Sequence, residues 1–572
     1  MSWFFACIGN VTEEIKNEFN FFNDKILYEY NSASFFLKAG SNKDTCFFST
    51  NQNTQTNTLS LGIGLKNGNE NSSLMNSNDW SMIDSLNKTK DVNGHFIHFL
   101  WNNDLIEIFT DIWGLRDFYI SNCINGRYFL STRIDWLKKF VNSSMNFSEF
   151  GSRWLLCNQI STKSVLTNIH RISNGTSISI VRKVHQLTKN EYNWQPKVES
   201  KTTIQEYSSI LKTLINITDK KPLTLCLSGG FDSRLILSYL LKSKNKEFNC
   251  VSFGEQFEPD IIIAKEIAKE LKLNFEVICN SITDIDKFLV NFKEYTLQTI
   301  INSSASRFFH LSNYNELLNR NTIIIDGGFG EIWRREFGKK LLLFGKSAIK
   351  EKNPFIFFKY LRNNKADFFS SDINNIMYNG AIEQIKEYFE NNTYKEEIGV
   401  DNFIDVFSIK TRLANFYSPE QTYLDTKLIT LMPYIQNILL KNLLNVDIKY
   451  RRNGRMLKKI LKNNFPELRK FHLAKNDFTY SYKFNAINQI ISKYLFKNKN
   501  INQLNYEKQK NLILTLTPYI LDSINSNYAN QCGYFDKNKL LLLSNSLSNR
   551  DINPQIINDL DWWLSIYFFI TN

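Results

Sequence analysis

The stretch LCLSGGFDSR, Leu225 to Arg234, determines how the rest of the chain is interpreted. It begins as an apolar strand, turns at Gly229 and Gly230, and continues from Asp232 in a pattern typical of a helix. Glycines allow positive φ and let backbone amides approach a ligand, and a helix N-terminus adds unpaired N–H groups and the positive end of a dipole. The stretch therefore predicts an anion cradle.

The residues around this turn alternate between apolar strands and amphipathic helices. Strands are predicted at 223–227, 248–253, 275–279 and 322–325, and helices at 232–241 and 260–271. Alternation of strand, turn and helix is typical of parallel βαβ units. We therefore predict an α/β core over about residues 221–335.

Polar side chains accompany the two glycines in a pattern that suits phosphate. The hydroxyls of Ser228 and Ser233 can donate to phosphate oxygens. The carboxylate of Asp232 would repel a bare phosphate, so its natural partner is a bridging cation such as Mg2+. The plainer interpretation makes Asp232 a helix cap and the glycines a tight turn. Because this pattern directly follows a buried strand in a βαβ unit, we favour phosphate binding.

Ser228 to Ser233 matches without a gap the Ser-Gly-Gly-x-Asp-Ser fingerprint of the N-type ATP pyrophosphatase (PP-loop) superfamily, within which the chain resembles the asparagine synthetase family. Val251–Gly254 is similar to the family's adenosine-contacting strand, and Pro433–Gln436 is similar to its Pro-Phe-Leu-Asp segment. In the first half of the chain, Asn168–Gly175 is similar to the strand that closes the family's glutaminase domain. The resemblance implies ATP and Mg2+ as cofactors. The nucleotide and pyrophosphate residues that it implies are Leu227, Ser228, Gly229, Gly230, Asp232, Ser233, Ser252, Phe253, Gly327 and Gly328.

The resemblance runs through most of the chain in order and implies two domains. Residues 1–198 would form an α+β, Ntn-hydrolase-like αββα sandwich, and residues 205–572 an α/β PP-loop (adenine nucleotide α-hydrolase-like) synthetase domain with a helical region beyond about Lys340. Short strand-like stretches rich in Phe, Ile, Tyr and Thr independently indicate a β-rich first half. They are 2–8, 94–101, 105–110, 127–131 and 176–181.

Position 2 departs from the family pattern. In glutamine-hydrolysing members the nucleophile there is a cysteine, whose own α-amine serves as the base once the initiator methionine is removed. This chain has Ser2 followed by Trp3 in place of the family's glycine, and Cys7 lies inside the predicted strand. We expect an inactive or repurposed first domain. A glutamine-dependent asparagine synthetase that uses Ser2 is the alternative, since serine serves as an N-terminal nucleophile in other Ntn enzymes.

The loop IDGGFGE, Ile325 to Glu331, departs from the family's Ser-Gly-x-Gly-x-Asp-Glu. Gly330 stands where the family has its Mg2+-binding aspartate, whereas Glu331 keeps the acidic position. Mg2+ that also binds phosphate needs only one or two protein carboxylates, so Asp326 or Glu331 can replace the lost one. The predicted metal ligands are Asp232, Asp326 and Glu331; weakened metal binding is the alternative.

Arg334 and Arg335 follow this loop directly. Guanidinium groups beside a glycine loop suit a pyrophosphate leaving group or an anionic substrate, and we assign Arg334 to pyrophosphate. The alternative is a pair of surface charges that face Glu336.

A third departure concerns the family's catalytic lysine, at whose position this chain has Gly454. Arg455 or Lys458 is predicted to stabilise charge on an adenylate instead, although arginine cannot donate a proton as lysine can. With Glu331, these two residues complete the predicted catalytic set. The change points away from ordinary asparagine synthesis.

Composition limits the other classes of function. The 572 residues carry a net charge of +13, with 22% charged and 43% hydrophobic residues, which excludes general disorder. The basic residues form no long block, so we predict no nucleic-acid partner. No signal peptide or apolar run of about 20 residues is visible, so we predict a cytoplasmic protein without a membrane partner. The 8 scattered cysteines indicate reduced core thiols.

The leading hypothesis is an ATP-dependent carbon–nitrogen ligase that activates a carboxylate as an acyl-adenylate and releases pyrophosphate. Its partners would be a small-molecule or peptide carboxylate and an amine or ammonia donor. β-Lactam synthetases and lasso-peptide cyclases share the architecture and also lack the N-terminal cysteine, and enzymes that amidate sugar acids are further relatives. A degenerate relative that only binds a nucleotide or a partner is the rival. A tRNA-modifying PP-loop enzyme would need a catalytic cysteine pair or an RNA-binding appendage, and neither is visible.

Overall fold

Strand Trp3–Ile8 is apolar on both faces, and this pattern places it at the centre of a layered structure. In the computed structural model, Phe4, Ala6 and Ile8 contribute to one hydrophobic core, and the alternate side chains contribute to a second one. Successive side chains of a strand point to opposite faces of its sheet, so the strand is buried from both sides.

The structure describes residues 2–19, 25–40, 42–52, 55–184, 186–192, 194–198, 200–243, 247–279, 281–475, 478–483, 501–549 and 552–572. Its first strands are β1 (Trp3–Ile8), β2 (Ile26–Asn31), β3 (Phe35–Gly40), β4 (Cys46–Asn51), β5 (Thr56–Asn67), β6 (Ser72–Leu74), β7 (Asn93–Trp101), β8 (Leu105–Thr110), β9 (Phe118–Ser121), β10 (Tyr128–Ser131), β11 (Ile169–Ile172), β12 (Thr176–Val181) and β13 (Gln186–Glu191).

These strands form two antiparallel sheets that pack face to face. One sheet has the order β11-β9-β10-β1-β3-β2, and the other has the order β13-β12-β8-β7-β5-β4, with β6 paired to β5. Phe4 of β1, Leu61 of β5 and Phe99 of β7 belong to the shared core between them. The predicted β-rich first half is confirmed at the level of its strands.

A parallel sheet follows, and it carries the predicted glycine turn. Its strands are β14 (Leu223–Cys226), β15 (Phe248–Phe253), β16 (Phe275–Ile278), β17 (Ile323–Ile325) and β18 (Ile429–Leu431), in the order β16-β15-β14-β17-β18. Each neighbouring pair is parallel. The mixed α/β architecture and the predicted strands are confirmed. Strand β18 lies in the region predicted to be mostly helical. It was not predicted because its three residues are too few to show a strand period.

Helices cover the parallel sheet and build most of the remaining chain. The α-helices span Glu13–Phe19, Ser77–Ser81, Leu86–Thr89, Ile134–Leu137, Phe147–Leu155, Ile204–Ile215, Phe231–Lys242, Pro259–Glu270, Ile285–Thr299, Ala305–Leu311, Gly330–Trp333, Lys339–Phe344, Lys346–Lys350, Pro354–Leu361, Ser371–Asn391, Lys395–Arg412, Ser418–Asp425, Asn437–Lys441, Ile448–Arg451, Arg455–Asn464, Ile501–Thr515, Thr517–Ile524, Asn527–Gln531, Lys537–Asn549 and Pro554–Thr571. A hairpin of β19 (Leu473–Lys475) and β20 (Phe478–Tyr480) lies beside them. In the described residues, no helix is both long enough and apolar enough to cross a membrane.

The two predicted domains share a core in this structure. Helix Phe147–Leu155 packs against helix Ser371–Asn391 at two glycines. A Cβ atom on Gly151 would lie 2.0 Å from the carbonyl oxygen of Met377, and one on Gly380 would lie 2.2 Å from that of Ser148. The helices therefore approach as closely as their backbones allow. The domain boundary between residues 198 and 205 stays a prediction.

The cysteines only partly follow their prediction. No disulfide joins the eight cysteines, all of which lie in the described part of the chain. Cys7 and Cys250 are buried as core thiols, and burial raises the pKa of each to about 12. Cys123 and Cys279 are exposed, so the prediction is wrong for these two. Each lies just beyond the end of a strand, where the apolar run that suggested burial has ended.

Candidate functional site

A cavity of about 520 Å³ opens at the carboxyl ends of β14, β15 and β17. Parallel strands end at the same edge of their sheet, so the loops that follow them meet there. Most of the residues predicted for nucleotide and metal binding line this cavity. They are Leu227, Ser228, Gly230, Asp232, Ser233, Ser252, Phe253, Asp326, Gly327, Gly328 and Arg334.

The loop after β14 is held in shape by two serines. The Ser228 and Ser233 hydroxyl oxygens lie 2.9 Å apart, and the Ser228 backbone N–H donates to the Ser233 oxygen at 3.1 Å. The Gly230 N–H donates to the Ser228 hydroxyl at 3.2 Å. Helix Phe231–Lys242 then begins with Gly230 as its N-cap and without a side-chain cap. Asp232 is therefore not the helix cap, which removes the plainer interpretation of this residue.

The loop after β17 passes directly against the first loop. A Cβ atom on Gly327 would lie 2.9 Å from the backbone nitrogen of Ser233 and 3.2 Å from the carbonyl carbon of Asp232. A Cβ atom on Gly328 would lie 2.7 Å from the sulfur of Met432. The two loops can meet this closely because Gly327 has no side chain, whereas Gly328 makes room for Met432.

Gly229, although predicted to bind nucleotide, lies behind the cavity wall. Its carbonyl accepts from Arg234 at 3.1 Å and from the backbone N–H of Ala474 at 2.9 Å. A Cβ atom there would lie 2.8 Å from the side chain of Ala474 and 3.0 Å from that of Ile263. The glycine therefore brings the turn against neighbouring elements, and any direct contact with a nucleotide stays a prediction.

The carboxylate of Asp232 binds Arg334 through two parallel hydrogen bonds. The Nε and Nη2 atoms of Arg334 donate to it at 2.9 and 2.7 Å, and Nη1 donates to Glu336. Burial disfavours the charged guanidinium, but the carboxylates of Asp232 and Glu336 outweigh burial and raise the pKa of Arg334. Arg334 therefore contributes a fixed positive charge to the cavity wall.

The three carboxylates predicted as metal ligands have separate partners. Asp326 accepts from the Gly328 N–H at 2.6 Å and from the Tyr314 hydroxyl at 3.0 Å. Glu331, which is not among the lining residues, accepts from the Tyr417 hydroxyl at 2.9 Å and from Arg412 at 3.2 Å. In the described residues, no three His, Cys, Asp or Glu side chains are grouped to hold a metal ion. Asp232 and Asp326 both line the cavity, and Mg2+ that is also bound by phosphate needs only one or two carboxylates, so their role as its ligands stays a prediction.

Arg455 and Lys458 lie on helix Arg455–Asn464, and neither is among the lining residues. Arg455 is exposed. Lys458 is half-buried, and burial together with the nearby charge of Arg334 lowers its pKa. The catalytic roles of Glu331, Arg455 and Lys458 stay predictions.

Sequence reasoning missed part of the cavity wall. Arg307 and Glu420 pair across it at 2.8 and 3.1 Å, and Glu258, His310, Tyr314 and Tyr480 also line it. Burial and the charge of Arg307 lower the pKa of His310. These residues come from helices and a hairpin that lack any motif. Their sequence pattern is that of ordinary amphipathic elements, so it offered no signal.

Ser2 is buried beneath the first sheet and bonded to Thr45. Its hydroxyl donates to the Thr45 carbonyl oxygen, and the two hydroxyl oxygens lie 2.5 Å apart. The Thr45 hydroxyl in turn lies 3.4 Å from the carbonyl oxygen of Asp425. The serine position is thus connected to the half of the chain that carries the cavity.

Asp425 is the centre of a buried charge cluster between the two halves. Its carboxylate binds His95 at 2.8 Å, Arg116 at 2.9 Å and the amide of Gln421 at 3.0 Å. Burial opposes ionisation, but His95 and Arg116 outweigh it and hold the pKa of Asp425 below its usual value. Gln421 also lines the cavity. The cluster therefore connects the N-terminal half to the cavity wall through Gln421.

Comparison with known proteins agrees with this site. Residues 215–315, which include the loop after β14, match the asparagine synthase family model. The chain is also 29% identical over 170 residues to the Microcin J25-processing protein McjC of Escherichia coli. That match covers 28% of this chain and 32% of McjC, so the chain spans about a third of the length of this relative.

A solved structure described as the allosteric regulatory enzyme of purine biosynthesis is also similar, at 9% identity and a TM-score of 0.22. The alignment covers 60% of this chain and 78% of the other. A superposition this loose supports no statement about a shared fold.

Replacing Gly327 by Ala should weaken ATP binding about tenfold or more, because the added methyl group would force the two loops apart. Isothermal titration calorimetry with ATP and Mg2+ measures the change. Gly68→Ala is the matched control, since Gly68 is exposed and a Cβ atom there would meet Asn71 alone. Equal ATP affinity in the Gly327→Ala variant and the wild type would contradict this account of the loops.

Proposed function

We propose that the protein is an ATP-dependent ligase that forms amide bonds through an acyl-adenylate. The observation that carries the proposal is the cavity in which the Ser228–Ser233 loop meets Gly327 at the edge of the parallel sheet. Backbone N–H groups and the N-terminus of helix Phe231–Lys242 favour an anion at this place. The match of residues 215–315 to the asparagine synthase family model supports an ATP-dependent, amide-forming ligase.

In the proposed reaction, a substrate carboxylate oxygen attacks the α-phosphorus of ATP. The bond from that phosphorus to the bridging oxygen breaks, and pyrophosphate leaves. An amine then attacks the acyl carbon, loses a proton and displaces AMP. The Ser228 and Ser233 hydroxyls and loop amides hold phosphate oxygens, and Leu227, Ser252 and Phe253 form the adenosine side of the cavity. The protein contributes mainly positioning and charge stabilisation.

Mg2+ bound to the phosphates would neutralise part of their charge during this reaction. Asp232 and Asp326 are the lining carboxylates that we assign to it. The parallel sheet with this loop is the PP-loop part of the proposed architecture, and the two antiparallel sheets are its Ntn-hydrolase-like part.

The nitrogen donor in this proposal is ammonia or an amine of the substrate rather than glutamine. Ser2 is buried, and its hydroxyl is bonded to Thr45. The name of the relative McjC refers to the processing of microcin J25 and not to asparagine synthesis. We therefore favour a carboxylate other than free aspartate, in a peptide or a small molecule.

A second candidate function is nucleotide binding without catalysis. One observation favours it, namely that Arg334 occupies both oxygens of Asp232, the predicted Mg2+ ligand. Exchange of labelled pyrophosphate into ATP separates the two candidates, because only an enzyme that cleaves ATP at the α-phosphorus catalyses it.

Wild-type protein should exchange labelled pyrophosphate into ATP when it is supplied with its carboxylate from a panel of peptides, amino acids and sugar acids. Asp232→Asn should reduce the exchange by at least about a hundredfold, because the variant lacks a charge that positions both Arg334 and Mg2+. Asp372→Asn, on an exposed helix turn, is the control. ATP binding without exchange for any carboxylate would favour the non-catalytic candidate.

Ser2→Ala should leave ammonia- or amine-dependent amide formation unchanged, since the Ser2 hydroxyl bonds only to Thr45 among the described residues. Neither the wild type nor the variant should release glutamate from glutamine. Amide formation and glutamate release measured together by mass spectrometry test this. Glutamine-dependent activity that disappears in Ser2→Ala would instead establish a working glutaminase.

A further inference from the structure

Two glycines that depart from the family pattern border the same ion pair. Gly330 stands where the family has its Mg2+-binding aspartate, and Gly454 stands where it has its lysine. A Cβ atom on Gly330 would lie 2.2 Å from the carboxyl carbon of Asp232. One on Gly454 would lie 2.8 Å from Cγ of Arg334. Both glycines therefore leave space that the pair between Asp232 and Arg334 occupies.

The ion pair limits which residues these two positions can hold. A side chain at position 330 would place its Cβ atom against the Asp232 carboxylate, and one at position 454 would place its Cβ atom against the Arg334 side chain. Gly454 also has φ of 62°, which disfavours any residue with a side chain. The local backbone is therefore built around the arginine and not around a lysine.

Arg334 has the position and the spare donors to bind a second anion. It lines the cavity beside the Ser228–Ser233 loop. A guanidinium carries five N–H groups. Within the described structure, three of its N–H groups are used on Asp232 and Glu336, and its carbon atom Cζ lies 6.0 Å from the ring centre of Phe231. A planar, permanently charged fork matches the geometry of phosphate oxygens.

We propose that Arg334 is the resident cation of this site and that it binds the pyrophosphate group of ATP. This inference rests on the proposed function. Without nucleotide, Arg334 neutralises Asp232; with ATP, its guanidinium binds the oxygens of the pyrophosphate group and stabilises the charge that develops as this group leaves. Arginine does not donate its proton, so the role is electrostatic and not that of a general acid.

Neighbouring charges determine how the loss of Arg334 would change the charge balance of the site. Glu336 holds the third donor of the guanidinium, and Lys458 lies close enough for the charge of Arg334 to lower its pKa. Loss of Arg334 would therefore leave Asp232 and Glu336 with less positive charge to balance them. Added Mg2+ can replace part of the missing charge, which makes the Mg2+ dependence a specific signature of this role.

Titration calorimetry with ATP and with inorganic pyrophosphate, at several Mg2+ concentrations, tests the proposal on the full chain. Arg334→Gln should weaken both ligands at least about tenfold at low Mg2+, the loss expected for a charged hydrogen bond. Higher Mg2+ should recover part of this loss. The affinities of Arg334→Lys should lie between those of the wild type and Arg334→Gln, because lysine keeps the charge but lacks the planar set of N–H donors. Arg320→Gln, at an exposed pair with Glu276, is the matched control.

The outcomes separate this inference from the proposed function. If the wild type binds ATP and exchanges pyrophosphate while Arg334→Gln binds both ligands equally well, the proposed function stands and the inference is wrong. The same holds if the loss in Arg334→Gln is independent of Mg2+. If the wild type binds neither ligand at any Mg2+ concentration, both are overturned.

A double-mutant cycle checks the geometry even where a variant binds poorly. Gly454→Ala should lower the free energy of unfolding more in the wild type than in an Arg334→Ala background. Arg334→Ala removes the Cγ atom that the new methyl group would meet. The backbone strain at φ of 62° is the same in both backgrounds and cancels. The effect of Gly454→Ala on the unfolding equilibrium constant, measured by chemical denaturation, should be at least about threefold larger in the wild type than in the Arg334→Ala background. Additive effects would overturn the claim that Gly454 leaves room for Arg334.

Discussion

The backbone of Gly327 passes so close to Asp232 and Ser233 that no side chain fits between them, and the rest of the site depends on this approach. The approach follows from the sheet. Strands β14 and β17 are parallel neighbours, so the loops after them leave the same edge side by side. One loop supplies backbone N–H groups and hydroxyls, and the other brings Asp326 and Arg334 to the same cavity. The predicted anion-binding turn therefore lies in a cavity whose walls carry both acidic and basic side chains.

The N-terminal sheets are connected to this cavity through a buried charge cluster. The buried carboxylate of Asp425 binds His95 and Arg116 from the first half and Gln421 from the second. Removing one member of such a cluster would leave uncompensated charge in the interior, which costs several kcal/mol. The cluster therefore fixes the wall that Gln421 contributes, and Ser2 is bonded into the same layer through Thr45. We interpret the first half as a structural support in a ligase that takes its nitrogen from elsewhere.

The parallel core could be predicted from the sequence because its signals are local. The apolar run, the two glycines and the helix pattern predicted the ends of β14 and of helix Phe231–Lys242 to within one residue. Strand Phe248–Phe253 was predicted with its observed bounds. Strand β18 was missed because three residues show no period. The pairing of Asp232 with Arg334 spans 102 residues, and that of Arg307 with Glu420 spans 113, so neither has a local pattern. Gly330 and Gly454 were visible in the sequence, but their position on either side of the Asp232–Arg334 pair was visible only in the structure.

The central claim is that the phosphates of ATP lie between the Ser228–Ser233 loop and Arg334. A crystal structure of the protein with Mg2+ and a non-hydrolysable ATP analogue tests it most directly. The account predicts phosphate oxygens within about 3.2 Å of the loop N–H groups and of the Arg334 guanidinium, the range of a charged hydrogen bond. A nucleotide bound in another cavity, or bound here while Arg334 keeps both of its bonds to Asp232 and touches no phosphate oxygen, would contradict it.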